Sequence, residues 1–244
     1  MNIDRDVATL LKSFESRGFK GFYAENRERA KVKILDLVPQ DAVVGIGDST
    51  TIRQIEVIDA LEKRGTKVLD RFYRGISRAL QNKLAGESIQ CDVFLTGTNA
   101  VTVDGRLVNV DAVGNRVAGM FYGHPISIIV VGKNKLVDNI DEAFHRIRSL
   151  IAPTHIRVRG VELGGWRPKT PCVATGECHD CRSKERACNV FTIIEGKPFK
   201  TDINIVIINE DLGLGWAESW PEERISKIIE EYKRYVWIPP PKEV

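Results

Sequence analysis

The 244-residue chain is 43% hydrophobic and 28% charged, enough apolar mass for a sizeable core, and its net charge of +3 does not by itself argue for nucleic acid or a membrane surface as partner. The N-terminus, MNIDRDVATLLKSFESRG, lacks the apolar centre of a signal peptide, and the longest apolar run, Ile126–Val131, is far short of the roughly 18 residues of a membrane span, so a cytoplasmic protein is expected.

Helical periodicity predicts helices over 3–17 and 22–37, with Leu10, Leu11 and Phe14 on one apolar face and Ala30, Ile34 and Leu37 on the other. Joined through Gly18-Phe19-Lys20-Gly21, they form an expected helical hairpin, residues 1–38. A single α/β domain, residues 39–244, is expected to follow. Its elements alternate: a strand at Val43–Ile46, a helix over Ser49–Lys63, a strand at Thr66–Leu69, a helix over Ile76–Ala85 and a strand at Val93–Thr96. Ile126–Val131 is a near-continuous apolar strand, as in a parallel sheet covered on both faces. Ile140–Ile151 is a helix that Pro153 is expected to end. Val190–Glu195 and Ile203–Asn209 are strands across a turn near Gly196–Pro198, Pro221–Trp237 is a final helix, and Pro239–Pro241 a stiff tail. The alternation gives an α/β class with a mainly parallel sheet flanked by helices.

The least generic stretch is Gly97–Gly119, GTNAVTVDGRLVNVDAVGNRVAG. Its polar residues, Asn99, Asp104, Asn109, Asp111, Asn115 and Arg116, fall at strand ends and at an expected helix start, where small anions sit. With Gly97 they are candidate ligand-binding residues, Asn115 and Arg116 foremost. An ordinary Asn/Asp-rich turn region would carry the same residue types. A second loop, Gly45-Ile46-Gly47-Asp48-Ser49-Thr50-Thr51, follows a strand and opens a helix. There Gly45, Gly47, Asp48, Ser49 and Thr50 offer backbone and hydroxyl donors to an anion, or merely cap the helix. It lacks the lysine of a P-loop and the third glycine of a dinucleotide fingerprint, although Asp70 stands where a ribose-binding acid would. In a parallel sheet both loops lie on one rim. Lys133-Asn134-Lys135 follows another strand end and could bring charge to an anionic ligand, with Lys133 as the further cationic candidate. Glu210, also after a strand, is the one carboxylate nominated for general acid–base work, the alternative being a turn residue. His145 and His155 read as packing or surface residues.

These motifs carry a resemblance. GIGDSTT, then CDVFLTGTNAVTVDGRLVNVDAVGNRVAGMFYG, then VVGKNKLVDNIDEAFHRIRSLIAP, and later Glu210-Asp211-Leu212-Gly213, resemble the LUD family, the lactate-utilization proteins of LutC and LutB type. The resemblance implies a NagB/RpiA/CoA-transferase-like fold, in which a similar loop holds phosphate. It also implies a setting in which lactate oxidation is served by iron–sulfur proteins, so that other iron–sulfur or lactate-utilization subunits become expected partners, with a homodimer also open.

Four of the five cysteines, Cys172, Cys178, Cys181 and Cys188, form an added segment within 170–190. Four thiolates with one Cys-x-x-Cys pair can close on one metal centre. Both a [4Fe–4S] cluster and structural zinc use such ligands; the iron–sulfur setting of the resemblance favours the cluster, and zinc remains the alternative. His179 lies inside the segment and Cys91 outside it, as a buried spectator. Arg182, Lys184 and Arg186 lack interleaved aromatics, so no nucleic-acid partner is expected. The expected function is an enzyme or redox subunit acting on a small anionic metabolite, a lactate-like acid or a phosphorylated compound. The alternative is a non-redox ligand-binding or regulatory module with a structural zinc.

Overall fold

The computed structural model describes residues 3–73, 75–165 and 168–238. The expected tail Pro239–Pro241, and Trp166 and Arg167 of the preceding loop, lie outside the described residues. The strands are β1 (Lys20–Ala24), β2 (Val43–Ile46), β3 (Lys67–Leu69), β4 (Val93–Gly97), β5 (Ala100–Thr102), β6 (Leu107–Asp111), β7 (Ile126–Gly132), β8 (Leu136–Val137), β9 (Val190–Ile194) and β10 (Asp202–Ile208). The helices are α1 (Ile3–Ser16), α2 (Arg27–Leu37), α3 (Thr50–Gln54), α4 (Val57–Lys63), α5 (Arg78–Glu87), α6 (Asn115–Phe121), α7 (Ile140–His145), α8 (Ala152–Arg157), α9 (Pro171–Thr175) and α10 (Glu222–Tyr235).

Six strands form a sheet in the order β1-β10-β7-β4-β2-β3, every neighbouring pair parallel. The run ISIIVV supplies its centre. β7 is buried from Ser127 to Gly132 because β4 and β10 flank it and helices cover both faces. On one face Ile34 of α2, Ile52 of α3 and Leu61 of α4 pack against Val44, Leu95 and Val130. On the other, Phe14 of α1 and Met120 of α6 pack against Ile129, Ile205 and Ile207. A smaller sheet, β8-β5-β6-β9, is capped by Ile147 just after α7, by Trp216, and by Ile228 and Tyr232 of α10. The expected α/β class, with helices flanking a mainly parallel sheet, therefore holds.

Four expectations change. The N-terminal hairpin does not form: between its helices, Lys20–Ala24 joins the large sheet as an edge strand beside β10. Its Phe-Tyr-Ala end suits a strand, and α1 folds back over it through Phe14 and Phe19. Residues 3–38 are thus continuous with the sheet rather than an appendage. β9 and β10 are not a hairpin either, because they enter different sheets. Pro153 does not end its helix. The chain widens into a π turn over Arg146–Ile151, Pro153 then falls in the first turn of α8, where its missing N–H is tolerated, and a second π turn follows at Val158–Glu162. The helix expected over Ser49–Lys63 is likewise broken, at Glu56, whose φ of 54° is left-handed.

Candidate functional site

A cavity of about 390 Å³ opens where five parallel strands end. Asp48 to Thr51 line it after β2, Arg71 after β3, Gly97 to Asn99 at the end of β4, Lys135 after β7 and Gly213 after β10. This is the ligand-binding edge of open parallel sheets. The two loops expected on one rim do meet here, since Asp111, Asn115 and Arg116 complete this side. His155 on α8, Arg159 on the π turn after it, Tyr232 on α10, Trp237 beyond it, and Cys188 complete the lining.

The Gly97–Gly119 stretch is a network closed on Arg116, which is only 9% exposed. Arg116 Nη1 donates to Gly97 O at 3.2 Å and Asn109 Oδ1 at 2.8 Å; Nη2 donates to Asn99 Oδ1 at 2.9 Å and Val110 O at 2.7 Å. All four terminal N–H groups of the guanidinium are thereby engaged. Asn109 Oδ1 also accepts from Thr98 Oγ1 and the Asn99 N–H, and Asn99 Oδ1 from the Val110 N–H. The Asp111 carboxylate accepts the backbone N–H groups of Val113, Arg116 and Val117, closing the first turn of α6 after Gly114, whose φ of 93° a side chain would strain. Arg116 therefore brings a positive charge to the cavity and no terminal donor.

The remaining polar groups are less committed. Lys135, 6% exposed, donates from Nζ to Thr51 Oγ1 at 2.8 Å and to Thr98 O at 3.0 Å. Burial, then the Arg116 charge, brings its pKa down to about 7. Any side chain at Gly213 would begin 2.9 Å from that nitrogen. Arg71 Nε is buried with no partner among the described residues. Arg159 lies 3.7 Å from Asp48 and donates to His155 Nε2 at 3.0 Å. An arginine only donates, so Nε2 accepts and the ring proton sits on Nδ1, facing the Tyr232 hydroxyl, which in turn bonds Thr50. Burial and the two neighbouring arginines hold His155 neutral, well below its ordinary pKa. The cavity exposes 29% of the Asp48 side chain, yet protein encloses it, and desolvation raises its pKa against the pull of Arg159 and Arg53. The cavity thus holds an excess of cationic groups over carboxylates, suited to a small anion.

Several candidates do not reach it. Gly45 and Gly47 sit below the rim for close packing: an added Cβ would lie 2.8 Å from Cys91 Sγ at Gly45 and 2.5 Å from Thr96 Oγ1 at Gly47. Asp104 is at the β5–β6 turn, paired with Arg17 at 3.1 Å and Arg106 at 2.7 Å. Asn109 is fully buried behind Arg116. Lys133 turns to Asn209 Oδ1 at 3.3 Å, and Lys135, two residues on, enters instead. Glu210 is corrected from acid–base candidate to a structural link: it accepts the Arg27 backbone N–H at 2.7 Å and pairs with its guanidinium, which also reaches Glu231. Asp70 meets Arg53 and the Phe72 N–H, not a ribose. Missed residues fall into two groups. His155 and Arg159 lay in view, at helical i,i+4 spacing; Arg71, Tyr232 and Trp237 gave no local signal.

Cys172, Cys178, Cys181 and Cys188 line one further small cavity, with His179, Arg148 and Arg186. Burial and the other three thiols push Cys188 up to about 11. The four thiols share the lining of this cavity with Arg186, whose Nε is buried without a partner among the described residues and whose charge opposes the rise at Cys188. Among the described residues no group of three or more His, Cys, Asp or Glu is placed to hold a single metal ion. Four thiols with one Cys-x-x-Cys pair are a donor set that both structural zinc and an iron–sulfur cluster take. Cys91 is a separate thiol, buried 3.0 Å from His124 Nδ1.

Among the described residues no helix is long and apolar enough to cross a membrane. No curated protein sequence matches the chain. Among solved structures it is similar to a DUF162 family protein from Deinococcus radiodurans, with 13% identity, a TM-score of 0.46, and coverage of 85% of this chain and 99% of that one. It is also similar to ribose 5-phosphate isomerase A from Methanocaldococcus jannaschii, with 15% identity, a TM-score of 0.33, and coverage of 48% and 56%. The LUD domain model matches residues 7–208, from α1 to the end of β10, and the chain belongs to that family.

Proposed function

We propose that this LUD-domain protein binds a small organic acid of the lactate type in the strand-end cavity, beside an iron–sulfur centre held by Cys172, Cys178, Cys181 and Cys188, and serves as an enzyme or redox subunit in oxidation of that acid. One observation carries the reading: Cys188 and Ala187 line both the ligand cavity and the cysteine cavity, so one wall separates them. When bound, a [4Fe–4S] centre supplies one-electron transfer. The chain's own groups do the rest. Arg71 and Arg159 attract the carboxylate, Asp48 and Thr51 stand ready for the ligand's hydroxyl, and Trp237, Ile156 and Leu214 keep that wall apolar. Arg148 and Arg186 offset the charge of the thiolates. A single-electron centre implies a second redox partner, another iron–sulfur subunit.

Anaerobic purification tests this. Brown protein with iron and sulfide in near-equal amounts, and calorimetric binding of L-lactate or pyruvate, are the expected results. Colourless protein with one zinc and no iron would overturn the redox role in favour of a metal-stabilised binding or regulatory module. Binding of phosphorylated acids alone would replace the lactate-type ligand.

A further inference from the structure

Lys135 is a nucleophile to which the proposed function gives no role. It is an amine on the cavity wall, and its hydrogen-bond partners, Thr51 Oγ1 and Thr98 O, are both neutral. An uncharged amine has two N–H donors and one lone pair; a charged one has three donors and no lone pair. Two acceptors match the uncharged form and leave the lone pair without a partner among the described residues. An ammonium would keep a third N–H with no acceptor among them, in a place already positive through Arg116. The pKa of about 7 agrees with that geometry. Gly213 and Gly215 pack against the lysine stem, where an added Cβ would lie 3.1 Å from Cε and Cγ respectively, so the nitrogen has little freedom to retreat. A buried amine with an open lone pair, facing cations that attract a carboxylate, matches an electrophilic carbon beside a carboxylate.

We propose that Lys135 attaches a small 2-oxo acid in this cavity through an imine. The proposal rests on the reading of the cavity as an organic-acid site. The nitrogen lone pair attacks the keto carbon, a C–N bond forms and the carbonyl π electrons move to oxygen. Both amine hydrogens leave with that oxygen as one water, and the product is a neutral C=N bond with no change of oxidation state. Asp48 is the cavity carboxyl free to pass the proton, since Asp111 is engaged by three backbone N–H groups of the α6 turn.

Full-length protein is incubated with pyruvate and cyanoborohydride at pH 7.5, and each lysine is then read by peptide mass spectrometry. Reduction turns the imine into a permanent N-alkyl adduct. An adduct on Lys135 is expected at about a hundredfold the rate of exposed lysines, whose reactive fraction at this pH is far smaller. L-Lactate has no carbonyl and should slow the trapping by occupying the cavity. Lys135→Met should lose that adduct, with circular dichroism reporting whether the variant folds; the lactate competition needs only the wild-type chain. If calorimetry shows pyruvate binding but Lys135 is unmodified, or labelled no faster than surface lysines, the imine is wrong and the acid site stands. If neither pyruvate nor lactate binds and no adduct forms, the acid site falls and the imine with it.

Discussion

The two walls of the cavity are built on opposite plans. The strand-end wall, Gly97 to Arg116, is polar and closed: Arg116 ties Gly97, Asn99, Asn109 and Val110, and Asp111 closes the start of α6. The other groups, Lys135, Arg71, Asp48 and the His155–Tyr232 pair, come from five separate places in the chain and keep capacity in hand. The first wall shapes the site and the second is equipped to act in it. A concentration of Asn, Asp and Arg in sequence therefore marks where backbone must be held, which is a different property from where chemistry happens.

The comparison breaks first at Arg116. Replacing it by Met leaves two Asn oxygens, two carbonyls and the Asp111 carboxylate without their cation, so unfolding in urea should show a loss of about 3–5 kcal/mol. Lys should recover little, because one ammonium cannot reach four acceptors in a fork. If Arg116→Met is as stable as wild type and only ligand affinity falls, the two walls have been assigned the wrong way round.

Among the less committed groups the opposite pattern is expected. Arg71→Met removes a guanidinium whose Nε has no partner among the described residues. Stability should move by less than about 1 kcal/mol, while affinity for pyruvate or lactate in calorimetry drops about a hundredfold. Glu210→Gln is the control outside the cavity. It weakens the link to Arg27 and should cost about 1–2 kcal/mol in the same unfolding assay, with ligand affinity unchanged. A selective loss of binding in Glu210→Gln would restore its place in the site.

The sheet was legible because buried parallel strands are short apolar runs, and ISIIVV needs no tertiary information to be read. The shared rim of the two loops followed from parallel order. What was not legible depended on partners distant in the chain. Lys20 and Gly21 look like a helix-connecting loop, and Phe22 to Ala24 like the start of the next helix, until β10 lies beside them. Lys133 and Lys135 differ in sequence by two positions, and only the turn after β7 decides which enters the cavity. His155 read as a packing residue because nothing local shows that π turns bracket α8, or that Tyr232 of α10 will meet its ring.

The smallest predicted effect isolates Lys135. Its folded pKa of about 7 lies below the ordinary lysine value of about 10.4, so between those limits the unfolded chain holds more protons than the folded one. Stability must then rise with pH across that window and, from this group, be flat below it. Cys91 and Cys188 act in the opposite sense above about pH 8.5, because burial raises both in the folded state to about 11. The other charged groups lining the cavity are Arg71, Arg116, Arg159, Asp48 and Asp111, with neutral His155; all are shared by wild type and Lys135→Met, as are the two cysteines. The difference between the two proteins across pH 7 to 8.5 should therefore belong mainly to the lysine. Wild type should gain about 1–2 kcal/mol relative to Lys135→Met on that rise, from the roughly 1.4 kcal/mol that each pKa unit represents. Parallel urea midpoints for the two proteins over this range would mean that Lys135 is charged in the folded protein, and that the second wall, like the first, presents a fixed cation to its ligand.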